Sequence, residues 1–162
     1  MDLTPLLTSD QIITYALNGL SNGMILFLVA SGLTLIFGLI GLINFTHGAM
    51  VALGGYLTLV FVGVTGSFWL SLVAAIVVVS AFGLLLERTI LHHLYEDPLL
   101  GFLATFGIHL VVEELLSFRF GDQSRSLTAP FPGSMDLLGV GYPKHRLLII
   151  AIGFAVALVI GL

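Results

Sequence analysis

The feature that most constrains this chain is a long segment without charged side chains. Between Gln11 and Leu86 the sequence contains no Asp, Glu, Lys or Arg. In the whole chain of 162 residues only 9% are charged, whereas soluble domains carry roughly 25%. A membrane-spanning helix needs about 20 apolar residues, so the segment is long enough to cross a bilayer several times. The sequence therefore predicts an all-α fold, a polytopic integral membrane helical bundle with about 4-5 transmembrane segments.

One short polar step, Asn44-Phe45-Thr46-His47-Gly48, interrupts this segment. Hydrocarbon offers no hydrogen-bond partners, so a polar step at membrane depth needs partners from the protein or a water-filled cavity. We therefore expect one discontinuous helix near residues 43–48. Two interpretations of His47 stay open, a neutral imidazole bonded to a neighbouring helix or a side chain that lines a path through the membrane.

The candidates for lining such a translocation path are Asn18, Asn22, Asn44, Thr46 and His47. Asn18 and Asn22 lie about one helical turn apart and therefore share a face. Side chains of this kind either hydrogen-bond between helices or form a polar lining for a solute. Gly19 and Gly23 have the GxxxG spacing that lets two helices approach closely, so we expect both glycines to serve helix packing.

The first helix is predicted to begin near Asp10. Thr8 and Gln11 have capping-box spacing, and Asp10 adds negative charge where the helix dipole favours it. The apolar run that follows, residues 12–43, is longer than the roughly 20 residues of one span. It predicts either one long tilted helix with an extension or a span followed by a second, partial helix.

Further apolar runs continue the bundle. They cover residues 49–62, 70–86, 99–116 and 147–162. A polar loop at residues 87–98 and a second at 117–146 separate the last three runs, and the second loop is long enough to hold a small hairpin. The last run is shorter than the roughly 20 residues of a full span. We therefore predict a single transmembrane domain over residues 1–162 that is incomplete at its C-terminus and truncated.

The run at residues 99–116 contains two titratable residues that can pair. His109 and Glu113 are four positions apart and can meet on one face of a helix. One interpretation is a proton relay inside the membrane. The other is that Glu113 and its neighbour Glu114 lie at the end of the span, where water solvates them.

Several classes of function receive no support from the sequence. The motifs GxxxxGK[ST], HExxH, CxxC and GxSxG are absent, and the chain contains no cysteine. We therefore predict no catalytic residues, no metal site and no cofactor. The formal net charge of −4 argues against nucleic acid as a partner, and the expected surroundings are a lipid bilayer. These exclusions leave translocation or scaffolding as the function. Any ATP hydrolysis would need a separate chain.

Several segments of the chain carry motifs of one family. They are Asn18-Gly19-Leu20 with Gly23, residues 30–38, 43–48 and 54–56, Glu87-Arg88, and residues 103–107 with Glu113-Glu114. These segments resemble the permease subunits of branched-chain amino acid ABC importers. The step around His47 is specific to this family and its close relatives, which include urea and amide permeases. The resemblance covers essentially the whole chain but only about the N-terminal half of a typical member.

The resemblance implies a multi-pass subunit of the bacterial inner membrane that pairs with a second, related permease subunit. It also implies two cytoplasmic ATPase subunits and a periplasmic substrate-binding protein that delivers leucine, isoleucine, valine or a similar solute. The chain would then be a transport subunit that forms part of the translocation path and not an enzyme. The alternatives are a proton-coupled carrier or channel that uses His109 and Glu113, and a permease remnant that does not transport.

Two features differ from the family pattern. The loop at residues 87–98 is less basic than usual, and the C-terminal half with the ATPase-coupling loop is missing. We therefore expect a fragment, a truncated reading frame or one piece of a split permease. The family places residues 87–98 in the cytoplasm and 117–146 in the periplasm, whereas the Lys and Arg counts of the two loops favour the reverse. We expect the family's orientation.

Overall fold

The structure is a computed structural model that describes residues 8–121, 123, 125–127, 129–137 and 139–161. The helices are α1 (Ser9–Ile40), α2 (Thr46–Thr65), α3 (Phe68–Thr89), a 3₁₀ turn (Leu91–Leu94), α4 (Pro98–Phe120) and α5 (Lys144–Gly161), and the strands are β1 (Ser134–Leu137) and β2 (Val140–Pro143). Within the described residues, five helices are long and apolar enough to cross a membrane. The predicted all-α polytopic membrane fold is therefore confirmed.

Helix α1 begins with the capping box that the sequence predicts. The Thr8 backbone N–H donates to Gln11 Oε1 at 3.0 Å, and the Gln11 N–H donates to Thr8 Oγ1 at 3.4 Å. Two backbone donors at the helix start are thus satisfied by side chains. The helix then continues over 32 residues. Of the two predicted alternatives, the structure has the single long helix.

The predicted discontinuity is confirmed, and it begins slightly earlier in the chain than expected. Gly41 takes a φ of 74°, and its N–H donates to Phe37 O at 2.8 Å. This left-handed residue ends α1, because a residue with a Cβ would be strained there. Residues 41–45 are non-helical, and α2 starts at Thr46. His47 and Gly48 therefore lie in the first turn of α2 and not in the break itself.

A tight turn joins α2 to α3. Gly66, with a φ of 67°, follows α2, and its N–H donates to Val62 O at 2.9 Å. The helices pack closely through glycines. A Cβ at Gly54 would lie 3.8 Å from Val79 Cγ2, and one at Gly83 would lie 3.3 Å from Met50 Cε. The turn lies between the apolar runs predicted at residues 49–62 and 70–86, and α2 extends past the end of the first run, to Thr65.

The loop between α3 and α4 is ordered by side-chain hydrogen bonds. The Tyr95 hydroxyl donates to Glu87 Oε1 at 3.0 Å, which attaches the 3₁₀ turn to the end of α3. Asp97 caps α4, since its Oδ1 accepts from the N–H groups of Leu99 and Leu100 at 3.1 Å each. Pro98 occupies the first helical position, where its missing N–H costs nothing.

Strands β1 and β2 form a small antiparallel hairpin in the second polar loop. Met135 pairs with Tyr142, and Gly139 turns the chain with a φ of 85°. The Gly139 N–H donates to Asp136 Oδ1 at 2.9 Å. Helix α5 follows β2 directly and begins at Lys144, three residues before the predicted apolar run.

The chain divides into two compact units. The first comprises Met1–Ala30 with Thr128–Leu162, and the second comprises Ser31–Leu127. In the first unit α1 packs on α5, where Met24 covers Gly153 so closely that a Cβ at Gly153 would lie 2.6 Å from the sulfur. The prediction of a single transmembrane domain over residues 1–162 stays a prediction.

The second unit contains a small apolar core between α2 and α4. Ala49, Val112 and Leu116 are buried there, and the Tyr56 ring stacks on Phe120 with centroids 4.6 Å apart. Most other large apolar side chains of the helices are exposed. An apolar exterior is stable when lipid surrounds it.

Candidate site at the helix break

The break before α2 is stabilised first by its own asparagine. Asn44 Oδ1 accepts from the Thr46 N–H at 3.0 Å, and the Asn44 backbone oxygen accepts from the His47 N–H at 3.2 Å. These donors belong to the first turn of α2, where a helix has no partners of its own. Asn44 is 9% exposed, so water contributes little to the arrangement. The polar residue thus satisfies backbone groups that hydrocarbon would leave unpaired.

A pair of threonines fastens the break to α4. The Thr46 hydroxyl donates to Thr105 O at 3.2 Å. The Thr105 hydroxyl lies 3.2 Å from Ile43 O and 3.0 Å from Phe102 O, and its one proton is shared between these two acceptors. Both threonines are 0% exposed. Each threonine therefore satisfies a backbone carbonyl of the other's segment in a place that water does not reach.

Apolar contacts reinforce this attachment on both sides of the threonine pair. The Phe45 ring meets Phe102 and Phe106 edge-on, with centroids 5.2 and 5.7 Å apart. Edge-to-face pairs of this kind add to the burial of the rings themselves. Leu42 lies directly against Gly101, where any Cβ would overlap its Cδ1 atom. The break is thus a packed junction on the N-terminal half of α4.

The imidazole of His47 lies against α1. A Cβ built on Gly32 would be 2.8 Å from His47 Cε1 and 2.9 Å from Nε2, which is closer than real Cβ atoms approach a neighbour. The ring therefore occupies the space that a side chain at position 32 would take. His47 is half-buried and has interactions of its own.

A groove of about 760 Å³ runs between α2 and α4 beside the break. Its lining residues are Gly48, Ala49, Ala52, Tyr56, His109, Leu110, Val111, Glu113, Glu114, Leu116, Ser117 and Gly121. His109 Nε2 lies 3.4 Å from Glu113 Oε2, so the pair expected from the sequence spacing does meet. The Glu113 side chain is 67% exposed. Among the described residues His109 Nδ1 is buried without a hydrogen-bond partner.

The structure brings together only some of the residues expected to line a path. Asn44, Thr46 and His47 share the second unit, whereas Asn18 and Asn22 belong to the first. Asn18 Oδ1 accepts from the Tyr142 hydroxyl at 3.2 Å and from Arg146 Nη1. Asn18 thereby joins α1 to the start of α5.

The remaining candidates on α1 face away from the described parts of the first unit. Asn22 is exposed, and so are Gly19 and Gly23. No described atom outside the backbone of the helix lies within 4 Å of a Cβ built on either glycine. Their proposed role in helix packing would therefore require a surface other than the described part of this chain.

Sequence reasoning missed the residues that support the break. In the sequence, Gly32 and Thr105 stand out only as members of the segments that carry the family resemblance, and Gly101 receives no role. The sequence signal that could have found these residues is weak. It is only the presence of a small residue at a position where two elements approach each other closely. Composition alone does not say which glycine or threonine serves this purpose.

Comparison with known proteins identifies the class. Residues 15–162 match the profile of the family described as "Branched-chain amino acid transport system / permease component". The chain belongs to this family of transport permeases. The family and the five apolar helices make it a multi-pass protein of the bacterial inner membrane.

Individual relatives agree with the family. The permease LivH of a high-affinity branched-chain amino acid transport system is 29% identical in Escherichia coli K12 and 28% in Salmonella typhimurium LT2, each over 126 residues. These matches cover 72% of this chain and 41% of the relative. BraD of Pseudomonas aeruginosa is 26% identical over 154 residues, covering 86% of this chain and 50% of BraD. The chain thus spans at most half of these relatives, and no solved structure gives a significant match.

Proposed function

We propose that this chain is a membrane-spanning permease subunit of an ATP-driven importer for branched-chain amino acids or similar small polar solutes. The observation that carries the proposal is the packed break on α4, which sets His47 at a helix start within an otherwise apolar segment. A helix start inside a membrane is a suitable place to meet a polar solute, because its N–H groups favour negative charge. The names of the relatives LivH and BraD support the substrate class.

Within this proposal the five polar candidates have different tasks. His47 is the residue we assign to the wall of the translocation path. Asn44 and Thr46 stabilise the backbone around His47, since their side chains hydrogen-bond to the Thr46 N–H and to Thr105 O. Asn18 and Asn22 would line another part of the path, with Asn18 also bonded to Tyr142.

The proposed transporter needs further chains. A second permease subunit would complete the path, two cytoplasmic ATPase subunits would hydrolyse ATP, and a periplasmic binding protein would deliver the substrate. In this arrangement the chain carries no catalytic step. The support for these partners is the family, whose description names a transport system with a permease component.

Uptake of labelled leucine by cells that carry a substituted chromosomal copy tests the proposal. His47→Ala is expected to lower the initial uptake rate while the amount of protein in the membrane, measured by immunoblot, stays the same. His92→Ala is the matched control, because His92 is an exposed histidine in the loop after α3. Normal uptake by the His47→Ala strain would contradict the assignment of His47 to the path.

A second candidate function rests on the close approach of His109 to Glu113 in the groove. A proton-coupled carrier using this pair would lose its pH-dependent flux on Glu113→Gln, because the amide cannot titrate. An ATP-driven permease would show the same pH dependence before and after the substitution. Glu114→Gln is the control, and a pH profile of uptake that flattens only in the Glu113 variant would favour the proton-coupled carrier.

A further inference from the structure

We propose that Gly32 is the positioning residue for the His47 imidazole. The absence of a side chain at position 32 lets the ring lie against α1, and this contact fixes where the imidazole is held at the break. The expected effect of Gly32 on transport rests on the proposed function. The contact between Gly32 and His47 does not, and it has an experiment of its own.

The geometry of the contact makes the dependence on Gly32 specific. Two bonded ring atoms, Cε1 and Nε2, face the position of the missing Cβ at 2.8 and 2.9 Å, while Nδ1 is at 3.9 Å. The ring therefore points its far edge at the glycine. An imidazole is rigid and turns only about two bonds, so it cannot give way by bending as a methionine can. A methyl group at position 32 must displace the whole ring.

The backbone of His47 has little freedom to move away. Its N–H donates to Asn44 O, and the preceding residue is tied to Thr105 on α4. Both threonines are fully buried, so their hydrogen bonds hold the start of α2 on α4. The backbone that carries the ring therefore has little room to move away from Gly32. A larger residue at position 32 thus changes the orientation of the imidazole before it changes the path of the backbone.

Another glycine of α1 provides a matched control. Gly38 lies in the same helix, and no described atom outside the helix backbone is within 4 Å of a Cβ built there. Alanine raises helix propensity relative to glycine by the same amount at both positions. Only the alanine at position 32 meets the imidazole, so any difference between the two variants reports the contact and not the helix.

Nuclear magnetic resonance of the chain with ¹³C-labelled histidine, reconstituted in lipid nanodiscs, tests the position of the ring. Gly32→Ala is expected to shift the Cε1–H signal of His47 and to leave the signals of His92, His93 and His145 in place. Gly38→Ala should leave all of these signals unchanged. An unmoved His47 signal in the Gly32→Ala protein would overturn the proposal, whatever the outcome for transport.

Leucine uptake then tests the consequence through a double substitution. Gly32→Ala is expected to lower uptake by about tenfold in the presence of His47, given the usual cost of overpacking. In a His47→Ala background, where no ring is present to clash, the same substitution should cause no further loss. An equal loss in both backgrounds would refute the role of Gly32 as a positioning residue. Normal uptake by His47→Ala alone, with the spectral shift intact, would refute the assignment of His47 to the path and leave the contact established.

Discussion

At the scale of single residues, the break is held by side chains that satisfy backbone groups. Thr105 is the most informative, because its hydroxyl contacts Ile43 in the break and its carbonyl oxygen contacts Thr46 at the start of α2. Here both threonines are fully buried, so a lost partner leaves a polar group unpaired.

Thr105→Val tests this conclusion. Valine has nearly the same shape but no hydroxyl, so Ile43 O loses its donor. We expect a loss of about 1 kcal/mol in the free energy of unfolding, the usual net contribution of a hydrogen bond. The measurement is denaturant-induced unfolding in detergent micelles, followed by the fluorescence of Trp69.

Two further variants make the comparison specific. Thr105→Ser keeps the hydroxyl and should stay close to the unsubstituted protein. Thr89→Val removes a hydroxyl at the exposed end of α3, where it bonds only to Leu85 O of its own helix, and should cost much less. Equal stability of the valine and serine variants at position 105 would count against the hydrogen bond.

At the scale of elements, the attachments between helices depend on a few polar contacts at helix ends. The 3₁₀ turn is attached to α3 through Tyr95 and Glu87, and α1 is attached to β2 and to the start of α5 through Asn18. The apolar faces that remain exposed along the helices fit many orientations, since lipid is as apolar as another helix. The polar contacts therefore select which surfaces meet.

The attachment of the 3₁₀ turn predicts a pH effect. Burial raises the pKa of the Tyr95 phenol above its ordinary value of 10.0, and the hydrogen bond to the Glu87 carboxylate and its negative charge act in the same direction. Because the pKa is raised in the folded state, the stabilising contact is fully present below pH 10.0 and is lost as the pH rises through the raised value.

The difference in tyrosinate absorbance between the protein and its Tyr95→Phe variant measures this pKa. We expect a midpoint above 10.0. Glu87→Gln should move the midpoint part of the way back, because burial persists without the carboxylate. Glu96→Gln, at an exposed neighbour, should leave it in place. The attribution to Glu87 fails if both variants give the same midpoint as the unsubstituted protein.

The attachment of α1 to α5 distinguishes two asparagines that look equivalent in the sequence. Tyr142 is 2% exposed and donates to Asn18 Oδ1, so Asn18→Ala leaves a buried hydroxyl without this acceptor. We expect a loss of about 1–3 kcal/mol in unfolding free energy. Asn22→Ala, on an exposed position one turn further, should be close to neutral. Thermal unfolding in detergent compares the two variants, and equal losses would contradict the structural role of Asn18.

At the scale of the whole molecule, α4 lies between the two polar loops and is long enough to cross the membrane once. If α4 spans the membrane, the polar loop at residues 87–98 and the polar loop at residues 117–146 lie on opposite sides. We expect the orientation that the family resemblance implies, with the first loop in the cytoplasm and the second in the periplasm. A chain without native cysteine is well suited to a test of this arrangement.

Single cysteines introduced into the two loops provide that test. Ser126→Cys, in the polar loop at residues 117–146, should react with a membrane-impermeant maleimide in cells with a permeabilised outer membrane and a closed inner membrane. Glu96→Cys, in the other loop, should react only after the inner membrane is opened. Labelling of both positions from the same side would rule out α4 as a membrane span, and the reverse pattern would support the orientation that the Lys and Arg counts favour.

The sequence predicted the elements well where the signal is local. The capping box of Thr8 and Gln11, the spans, the hairpin and the discontinuity after α1 were all recoverable from composition, spacing and turn residues. The bounds of the break were less accurate. Gly41 ends α1 through its positive φ, and nothing in the adjacent apolar residues distinguishes it from the other glycines nearby.

What the sequence alone determined is the class of protein, since the lack of charge from Gln11 to Leu86 excludes a soluble fold and the motifs around His47 identify the permease family. What only the tertiary structure decided is which residues support the break. Thr46 meets Thr105, 59 residues further along the chain, and His47 meets Gly32 on another helix. These pairings depend on how each helix is rotated about its axis when it packs. Local sequence specifies the helix but not that rotation.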